Sequence, residues 1–151
     1  MSEEAKEKRG VRILVVEDDD VLNEMVVGEL RRIGYAAEGV ESWDSAERYL
    51  SVHEPSLILL DPRLPDKDAI DLLPQLASQQ PVIVLTAFAS VPGAVAAMKA
   101  GAADYLAKPL SLDELELVVG RVLRTERLRR EHEFLKSQQQ SRRKKFVLGQ
   151  S

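Results

Sequence analysis

Four short apolar runs in this chain each end at a side chain that can take part in phosphate chemistry. The run ILVV precedes Glu17 and Asp18, LILL precedes Asp61, VIVL precedes Thr86, and YLA precedes Lys108. Carboxylates can hold a divalent cation or act as nucleophiles, and a hydroxyl or an ammonium can bind phosphoryl oxygens. Together these residue types suit phosphoryl transfer assisted by a divalent cation.

The apolar runs also predict the sheet that positions these side chains. A run of Val, Ile and Leu is typical of a strand buried on both faces, as in a parallel sheet covered by helices. The sequence predicts strands at residues 11–16, 35–40, 57–60, 82–85 and 105–107, and helices at 21–33, from 42, at 69–78, at 92–100 and from 111. This alternation predicts an α/β fold with a doubly wound, five-stranded parallel sheet in the flavodoxin-like order 2-1-3-4-5. Sites in such sheets form beyond the carboxyl ends of the strands.

The composition limits the classes of protein to which the chain can belong. Its 151 residues suffice for one ordinary domain with an extension, and none of them is cysteine. Disulfide frameworks and thiolate metal sites are therefore excluded. The charged opening MSEEAKEKRG and the short apolar runs predict neither a secretory signal nor a membrane-spanning helix. We therefore expect a cytoplasmic protein without a membrane partner.

The distribution of charge divides the chain into two parts. Residues 1–120 carry 11 Lys and Arg against 22 Asp and Glu, whereas residues 121–151 carry 10 against 3. We interpret 1–10 as a flexible leader, 11–124 as the folded domain, 125–140 as a helical linker and 141–151 as a basic stub. The last helix begins at the capping pair Ser111 and Glu114 and is expected to reach about residue 137. Leu128 and Leu135, seven residues apart, predict either a weak dimer-forming seam or a solvated linker helix.

Each site residue also has a purely structural interpretation. Asp61 could cap a turn before Pro62, the acidic run 17–20 could complement the dipole of the following helix, and Thr86 or Lys108 could be ordinary residues at strand ends. Their occurrence together favours a common site. Carboxylates about 4 Å apart repel each other by roughly 4 kcal/mol at an effective dielectric constant of about 20, so the cluster requires a cation. Ligands that are all oxygens favour Mg²⁺.

The motifs VVEDD, LILLDPRLPD, VIVLTA and GAADYLAKP, in this order and spacing, resemble the receiver domain of bacterial two-component response regulators. The resemblance covers about residues 11–124. It implies that Asp61 accepts a phosphoryl group from a sensor histidine kinase. It also implies that Glu17, Asp18, Asp61 and the backbone carbonyl of Arg63 hold Mg²⁺.

The same resemblance assigns roles to the residues at the last two strands. Thr86 and Lys108 are implied to bind the phosphoryl oxygens, and Tyr105 is implied to act with Thr86 as a switch, although it could also be an ordinary half-buried strand aromatic. The peptide bond after Lys108 is often cis in the family. Two residues depart from the family pattern: Pro62 replaces an aliphatic residue or Met, and Ala69 replaces Gly. These departures could alter the acceptor loop and the lifetime of the phosphate.

The tail has a narrower resemblance. The segment AVAAMKAGAADYLAKPLSLDELELVV followed by LRREHEFLK resembles regulators that drive sigma-54-dependent transcription, and FVLGQS resembles the opening of their ATPase domain. This implies a receiver and linker cut before an output module, with DNA contacted only through that missing C-terminal module. Phosphorylation is expected to change the association of a homodimer. Its interface is formed by the fourth predicted helix (92–100), the fifth predicted strand (105–107) and the fifth predicted helix (from 111).

Other functions remain open at this point. The protein could be an adaptor that works without phosphorylation, or a Mg²⁺-dependent phosphohydrolase of small molecules. The phosphohydrolase requires an acid two residues after the nucleophile, where this chain has Arg63. The basic run RRKK could contact nucleic acid, but no aromatic residues or recognition fold accompany it. As a receiver, the chain is expected to catalyse only its own phosphorylation and dephosphorylation.

Overall fold

The apolar runs form the five-stranded parallel sheet that the sequence predicts. The computed structural model describes residues 3–87 and 90–149, without the side chains of residues 4 and 143–149. The strands are β1 (Arg12–Val16), β2 (Ala36–Val40), β3 (Leu57–Leu60), β4 (Val82–Thr86) and β5 (Asp104–Ala107). All neighbouring strands are parallel, in the order β2-β1-β3-β4-β5. The predicted fold class and strand order are therefore confirmed.

Helices cover both faces of this sheet. They are α1 (Glu3–Lys8), α2 (Asp20–Arg32), α3 (Trp43–Val52), α4 (Leu73–Ala77), α5 (Val91–Lys99) and α6 (Leu112–Gly149), with a 3-10 helix at Ala69–Leu72. One apolar cluster lies between the sheet and helices α2 and α6, and a second lies between the opposite face and helices α3, α4 and α5. Successive residues of β1 and β3 enter the two clusters in turn. The central strands are buried on both sides, which explains their uninterrupted apolar sequences.

Local signals set most helix boundaries. The side chain of Asp19 caps α2 by accepting the Leu22 N–H at 3.1 Å, and Ser42 caps α3 in the same way. The Ser111 hydroxyl accepts the Glu114 N–H at 3.3 Å at the start of α6. After α5 the chain turns at Gly101, whose φ of 108° favours glycine.

The predicted helix at 69–78 is instead divided into two short pieces. The 3-10 helix Ala69–Leu72 leads directly into α4, which has only five residues. Pro74 lies in the first turn of α4 and has no N–H with which to bond the preceding turn. Proline is compatible with a helix start but not with a continuous helix through this position.

Within the predicted leader, residues 3–8 form α1. Lys8 Nζ donates to the Ile33 carbonyl at 2.7 Å and lies 5.3 Å from the centre of the Tyr35 ring. Glu7 Oε1 lies 3.4 Å from Arg127 Nη1 on α6. These contacts are made by charged side chains to distant residues, and the local sequence carries no apolar pattern that predicts them.

Helix α6 runs from the domain into the predicted linker without a break. It spans 38 residues and passes the predicted end near residue 137, since no Gly or Pro occurs between residues 121 and 148. Leu128 and Leu135 are 55% and 59% exposed. Residues 150 and 151 of the predicted stub lie outside the described residues, as do the side chains of 143–149. Among the described helices, none is long and apolar enough to cross a membrane.

Gly39 on β2 lies close to the side chain of Asn23, and this contact gives a prediction about stability. A Cβ atom at this position would lie 1.9 Å from Oδ1 of Asn23, a buried residue of α2. We expect Gly39→Ala to lower the free energy of unfolding by about 1–3 kcal/mol, because Asn23 has to move. Urea denaturation measures this change. Gly28→Ala is the matched control: apart from its chain neighbours and its own helix backbone, no atom of the described residues lies within 4 Å of its Cβ position, so its stability should not fall. Equal stability of the two variants would contradict the steric argument.

Candidate metal and phosphoryl site

The strand ends bring the predicted site residues to one edge of the sheet. Glu17 follows β1, Asp61 follows β3, Thr86 ends β4 and Lys108 follows β5. The Asp61 N–H donates to the Val16 carbonyl at 2.9 Å, so the ends of β1 and β3 are held together. Because all strands are parallel, their carboxyl ends lie at this same edge.

Three carboxylates converge there. Glu17, Asp18 and Asp61 each offer an oxygen, and these oxygens lie within 4.8 Å of one another. Glu17 is completely buried, Asp61 is almost completely buried and Asp18 is exposed. Glu17 Oε2 accepts the Asp19 N–H at 3.2 Å, which fixes the side chain against the turn into α2. The cluster is therefore closed at its base and open to solvent at Asp18.

Lys108 bridges two of these acids. Its Nζ donates to Asp61 Oδ2 at 2.7 Å and forms an ion pair with Glu17 Oε1. Burial raises the pKa of Glu17 above its ordinary value, and the Lys108 ammonium only partly opposes this. Burial alone would lower the pKa of Lys108, but its contacts with Asp61 and Glu17 outweigh that effect and raise it. The lysine is therefore held as a cation among the carboxylates.

The residues present fit Mg²⁺. With the three acids ionised, Lys108 supplies one positive charge and leaves two negative charges, which one divalent cation neutralises. Among the described residues, the Lys108 ammonium is the partner of buried Glu17 Oε1, and no further hydrogen-bond donor reaches this oxygen. The donor set consists of oxygens, as Mg²⁺ requires, and the exposed side leaves room for the waters it retains. Glu17, Asp18 and Asp61 are the side chains that could hold it.

The other predicted residues surround this cluster. Thr86 is buried at the end of β4, and its carbonyl accepts the Lys108 N–H at 2.9 Å. Tyr105 is half-buried on β5, where it pairs with Val84 and packs against the cluster that α3, α4 and α5 cover. The Arg63 N–H donates to Asp61 Oδ1 at 2.9 Å, so the loop after β3 folds back onto Asp61. The peptide bond between Lys108 and Pro109 is cis.

Comparison with known protein families identifies this arrangement. Residues 13–119 match the family model of the response regulator receiver domain. The chain belongs to this family. The matched range contains β2 to β5, all of β1 except Arg12, the acid cluster, Thr86 and Lys108. The sequence resemblance to two-component receivers is therefore confirmed.

Individual relatives support the same assignment of the receiver. The chain is 35% identical over 123 residues to the regulatory protein AtoC of Escherichia coli K12, covering 80% of this chain and 27% of AtoC. It is 34% identical to the nitrogen assimilation regulatory protein NtrX of Azorhizobium caulinodans, covering 82% of this chain and 28% of NtrX. The crystal structure of NtrX from Brucella abortus in complex with ATP superposes with a TM-score of 0.77 at 32% identity, covering 82% of this chain and 29% of that chain. The chain thus spans just over a quarter of the length of these relatives.

Two residues that support the receiver site were not predicted from the sequence. Asn23 lies on the buried face of α2, and its Nδ2 donates to the Glu17 and Val40 carbonyls at 2.9 and 3.0 Å. The spacing of Asn23 to Val26, Val27 and Leu30 is the signal that could have identified it, since a polar residue there interrupts an apolar stripe.

The second residue is Asp66 in the loop after β3 of the receiver. Its Oδ1 and Oδ2 accept the N–H groups of Trp43 and Asp44, each at 2.9 Å. These partners precede Asp66 by 23 and 22 residues, so no local motif predicts the contact. An Asp in a Pro-containing turn is otherwise typical of a solvated loop residue.

Asp66 also yields a pH prediction for the stability of the receiver. The Trp43 and Asp44 N–H groups hold the pKa of this carboxyl below its ordinary 3.8. A carboxyl with a lower pKa in the folded state contributes stability above the unfolded pKa, and this contribution is lost as the pH falls through the folded pKa. We therefore expect the stability difference between wild type and Asp66→Asn to shrink as the pH falls from about 5 to about 2. Urea denaturation across this range tests it, and a constant difference would contradict it.

Proposed function

We propose that Asp61 accepts a phosphoryl group from a sensor histidine kinase, in a reaction that depends on Mg²⁺. The convergence of Glu17, Asp18, Asp61 and Lys108 at one sheet edge supports this proposal most strongly. The metal ligands are the three carboxylates together with the backbone carbonyl of Arg63. Bound there, Mg²⁺ neutralises negative charge on the transferring group.

Asp61, Lys108 and Thr86 have different roles in the proposed phosphoryl transfer. An oxygen of Asp61 attacks the phosphorus, and the bond between phosphorus and the donor breaks with its electron pair leaving on the donor. Before the reaction, the Lys108 ammonium pairs with Asp61 Oδ2. As negative charge develops on the transferred group, the ammonium moves to a phosphoryl oxygen. The Thr86 hydroxyl donates to another phosphoryl oxygen. The domain turns over no separate substrate, and its catalysis is limited to its own phosphorylation and dephosphorylation.

The switch follows from the phosphoryl group on Asp61, which carries a charge of about −1.5 to −2 where the carboxylate carried −1. Thr86 moves toward the new oxygens, and Tyr105 turns into the space that Thr86 vacates. The two residues lie on adjacent strands, with Val84 opposite Tyr105 and Thr86 opposite Ala107. A movement of β4 therefore reaches the surface formed by α5, β5 and α6, which we call the α5–β5–α6 face.

Exposed apolar side chains support a role for this face in a homodimer. Val91, Val95 and Met98 are exposed on α5, and Leu117 is 75% exposed on α6. Phosphorylation changes the association of two copies through this face. Because α6 continues into the linker, the change reaches whatever follows the receiver.

A charge on the α5–β5–α6 face should weaken the dimer. We expect Leu117→Glu to weaken association of the protein carrying a beryllofluoride phosphoryl mimic by at least about tenfold, because a carboxylate would be desolvated in the interface. Sedimentation velocity measures this effect. Val52→Glu is the matched control, since Val52 is also 75% exposed but lies on α3. Equal weakening by both variants, or by neither, would contradict a dimer through this face.

The relatives and the C-terminal segment of the chain support a proposal about what the receiver controls. As in a sigma-54-dependent activator, the receiver controls a C-terminal transcription-activating module, and the protein contacts DNA only through that module. The similarity to AtoC and NtrX supports this proposal. The protein acts in the cytoplasm, without a membrane partner.

Intact mass spectrometry tests the proposed phosphorylation. The protein is incubated with acetyl phosphate and Mg²⁺, beside a sample in which a chelator removes the metal. We expect one added phosphoryl group with Mg²⁺ and none with the chelator. No addition, under conditions in which another receiver domain is labelled, would overturn the proposal.

A further inference from the structure

The start of helix α3 is capped by a residue of the acceptor loop, which we define as residues 61–69. Asp66 accepts the first two amides of α3, those of Trp43 and Asp44, with one carboxylate oxygen each. The third amide, that of Ser45, is accepted by the Ser42 hydroxyl at 3.1 Å. Helix N-termini leave such amides without intrahelical partners, and a carboxylate there is also favoured by the helix dipole. A tertiary contact therefore completes the cap of α3.

Asp66 lies at the tip of a tight turn. Leu64 and Lys67 exchange backbone hydrogen bonds of 3.0 and 3.3 Å on either side of it. Further back, Arg63 pairs with Asp68 in an isolated antiparallel bridge, and the Ala69 N–H donates to the Pro62 carbonyl at 2.7 Å. The acceptor loop is thus a small hairpin, whose tip and base are joined by its own backbone hydrogen bonds.

The base of this hairpin is the candidate metal site. The Arg63 N–H donates to Asp61 Oδ1 at 2.9 Å, so the orientation of the acceptor carboxylate depends on the backbone at Arg63. Leu64, the next residue, is buried in the same apolar cluster as Trp43. The hairpin is therefore fixed at three levels: by Asp61 at its base, by Leu64 in its middle and by Asp66 at its tip.

We infer that Asp66 is a positioning residue for the Mg²⁺ site: by docking the acceptor loop onto the start of α3, it holds the Arg63 backbone and Asp61 in the arrangement that binds the ion. The inference rests on the proposed function. Some residues orient metal ligands without contacting the metal themselves. Their removal commonly weakens metal binding by 10- to 100-fold. The Trp43 and Asp44 N–H groups hold the pKa of Asp66 below its ordinary 3.8, and the carboxylate that they bind is ionised at neutral pH.

The experiment titrates ¹⁵N-labelled protein with MgCl₂ and follows the Arg63 amide by NMR, which gives the Mg²⁺ affinity without any phosphoryl donor. Wild type is compared with Asp66→Ala, Asp66→Asn and Ser42→Ala. Ser42→Ala is the matched control, because it removes the other side-chain cap of α3 and leaves the acceptor loop intact. Urea denaturation of each variant establishes that it is folded, and wild-type phosphorylation by acetyl phosphate is measured in parallel.

We expect Asp66→Ala to weaken Mg²⁺ binding about tenfold and Asp66→Asn to weaken it less, because the amide keeps one acceptor oxygen. Ser42→Ala should remain within about twofold of wild type. In wild type, Mg²⁺ should also change the NMR chemical shifts of the Trp43 and Asp44 amides. In Asp66→Ala these changes should be lost. A wild-type affinity in Asp66→Ala, with normal wild-type phosphorylation, overturns this inference alone, as does equal weakening by Ser42→Ala. A wild-type protein that neither binds Mg²⁺ nor takes up phosphate overturns the proposed function and this inference with it.

Discussion

Asp61→Asn is expected to abolish uptake of a phosphoryl group from acetyl phosphate. The amide retains an oxygen that can accept the Arg63 N–H, so the loop keeps its main local contact. It has no carboxylate oxygen with which to attack phosphorus, and it removes one of three negative charges from the metal site. The reaction therefore loses its nucleophile, and the affinity for Mg²⁺ also falls.

The matched control for this variant is Asp68→Asn, on the same loop. Asp68 is exposed, and its Oδ1 caps the Ile70 N–H at 3.2 Å, a contact that asparagine can also make. Intact mass after timed incubation compares the two variants with wild type. Asp68→Asn should be labelled as wild type is. Labelling of Asp61→Asn at the wild-type level would contradict the assignment of the acceptor.

Lys108→Met is expected to have the second largest effect, on both stability and reactivity. In the absence of Mg²⁺ the variant leaves buried Glu17 without its ion-pair partner and Asp61 Oδ2 without the donor that Lys108 supplied. Breaking a buried pair in this way costs roughly 3 kcal/mol. Mg²⁺ should restore part of this loss, because it neutralises the same carboxylates. Phosphoryl uptake should slow about a hundredfold, as expected when one donor to a developing charge is removed.

Urea denaturation with and without Mg²⁺, and timed intact mass, measure these effects. Lys99→Met is the control, because Lys99 is an exposed residue near the end of α5. It should leave both quantities unchanged. A stability loss in Lys108→Met that is no larger than in Lys99→Met, or that does not respond to Mg²⁺, would show that Lys108 does not neutralise the acid cluster.

The parts of the site that were predictable from sequence lie next to strongly patterned segments. The run LILL before Asp61 is typical of a strand buried on both faces, and the alternation of such runs with helices predicts a doubly wound parallel sheet in the observed order. Once the strands are parallel, their ends share one edge. This reasoning places Glu17, Asp61 and Lys108 together without any tertiary information.

The parts that were missed depend on contacts between distant residues. Asp66 caps α3 across more than twenty residues, and Lys8 reaches the Ile33 carbonyl at the end of α2. Asn23 fits beside β2 only because residue 39 is glycine. Such contacts are made by single polar side chains and leave no periodic pattern. The division of the helix at 69–78 was foreseeable from Pro74, whose missing N–H limits where a helix can continue.

The most direct test of the central claim is to locate the phosphoryl group. The protein is phosphorylated with acetyl phosphate and Mg²⁺, the acyl phosphate is trapped by reduction with borohydride, and the peptides are mapped by mass spectrometry. We predict that Asp61 alone is converted to homoserine, and only when both Mg²⁺ and the donor are present. Conversion of another carboxylate, such as Glu17 or Asp18, in place of Asp61 would contradict the account.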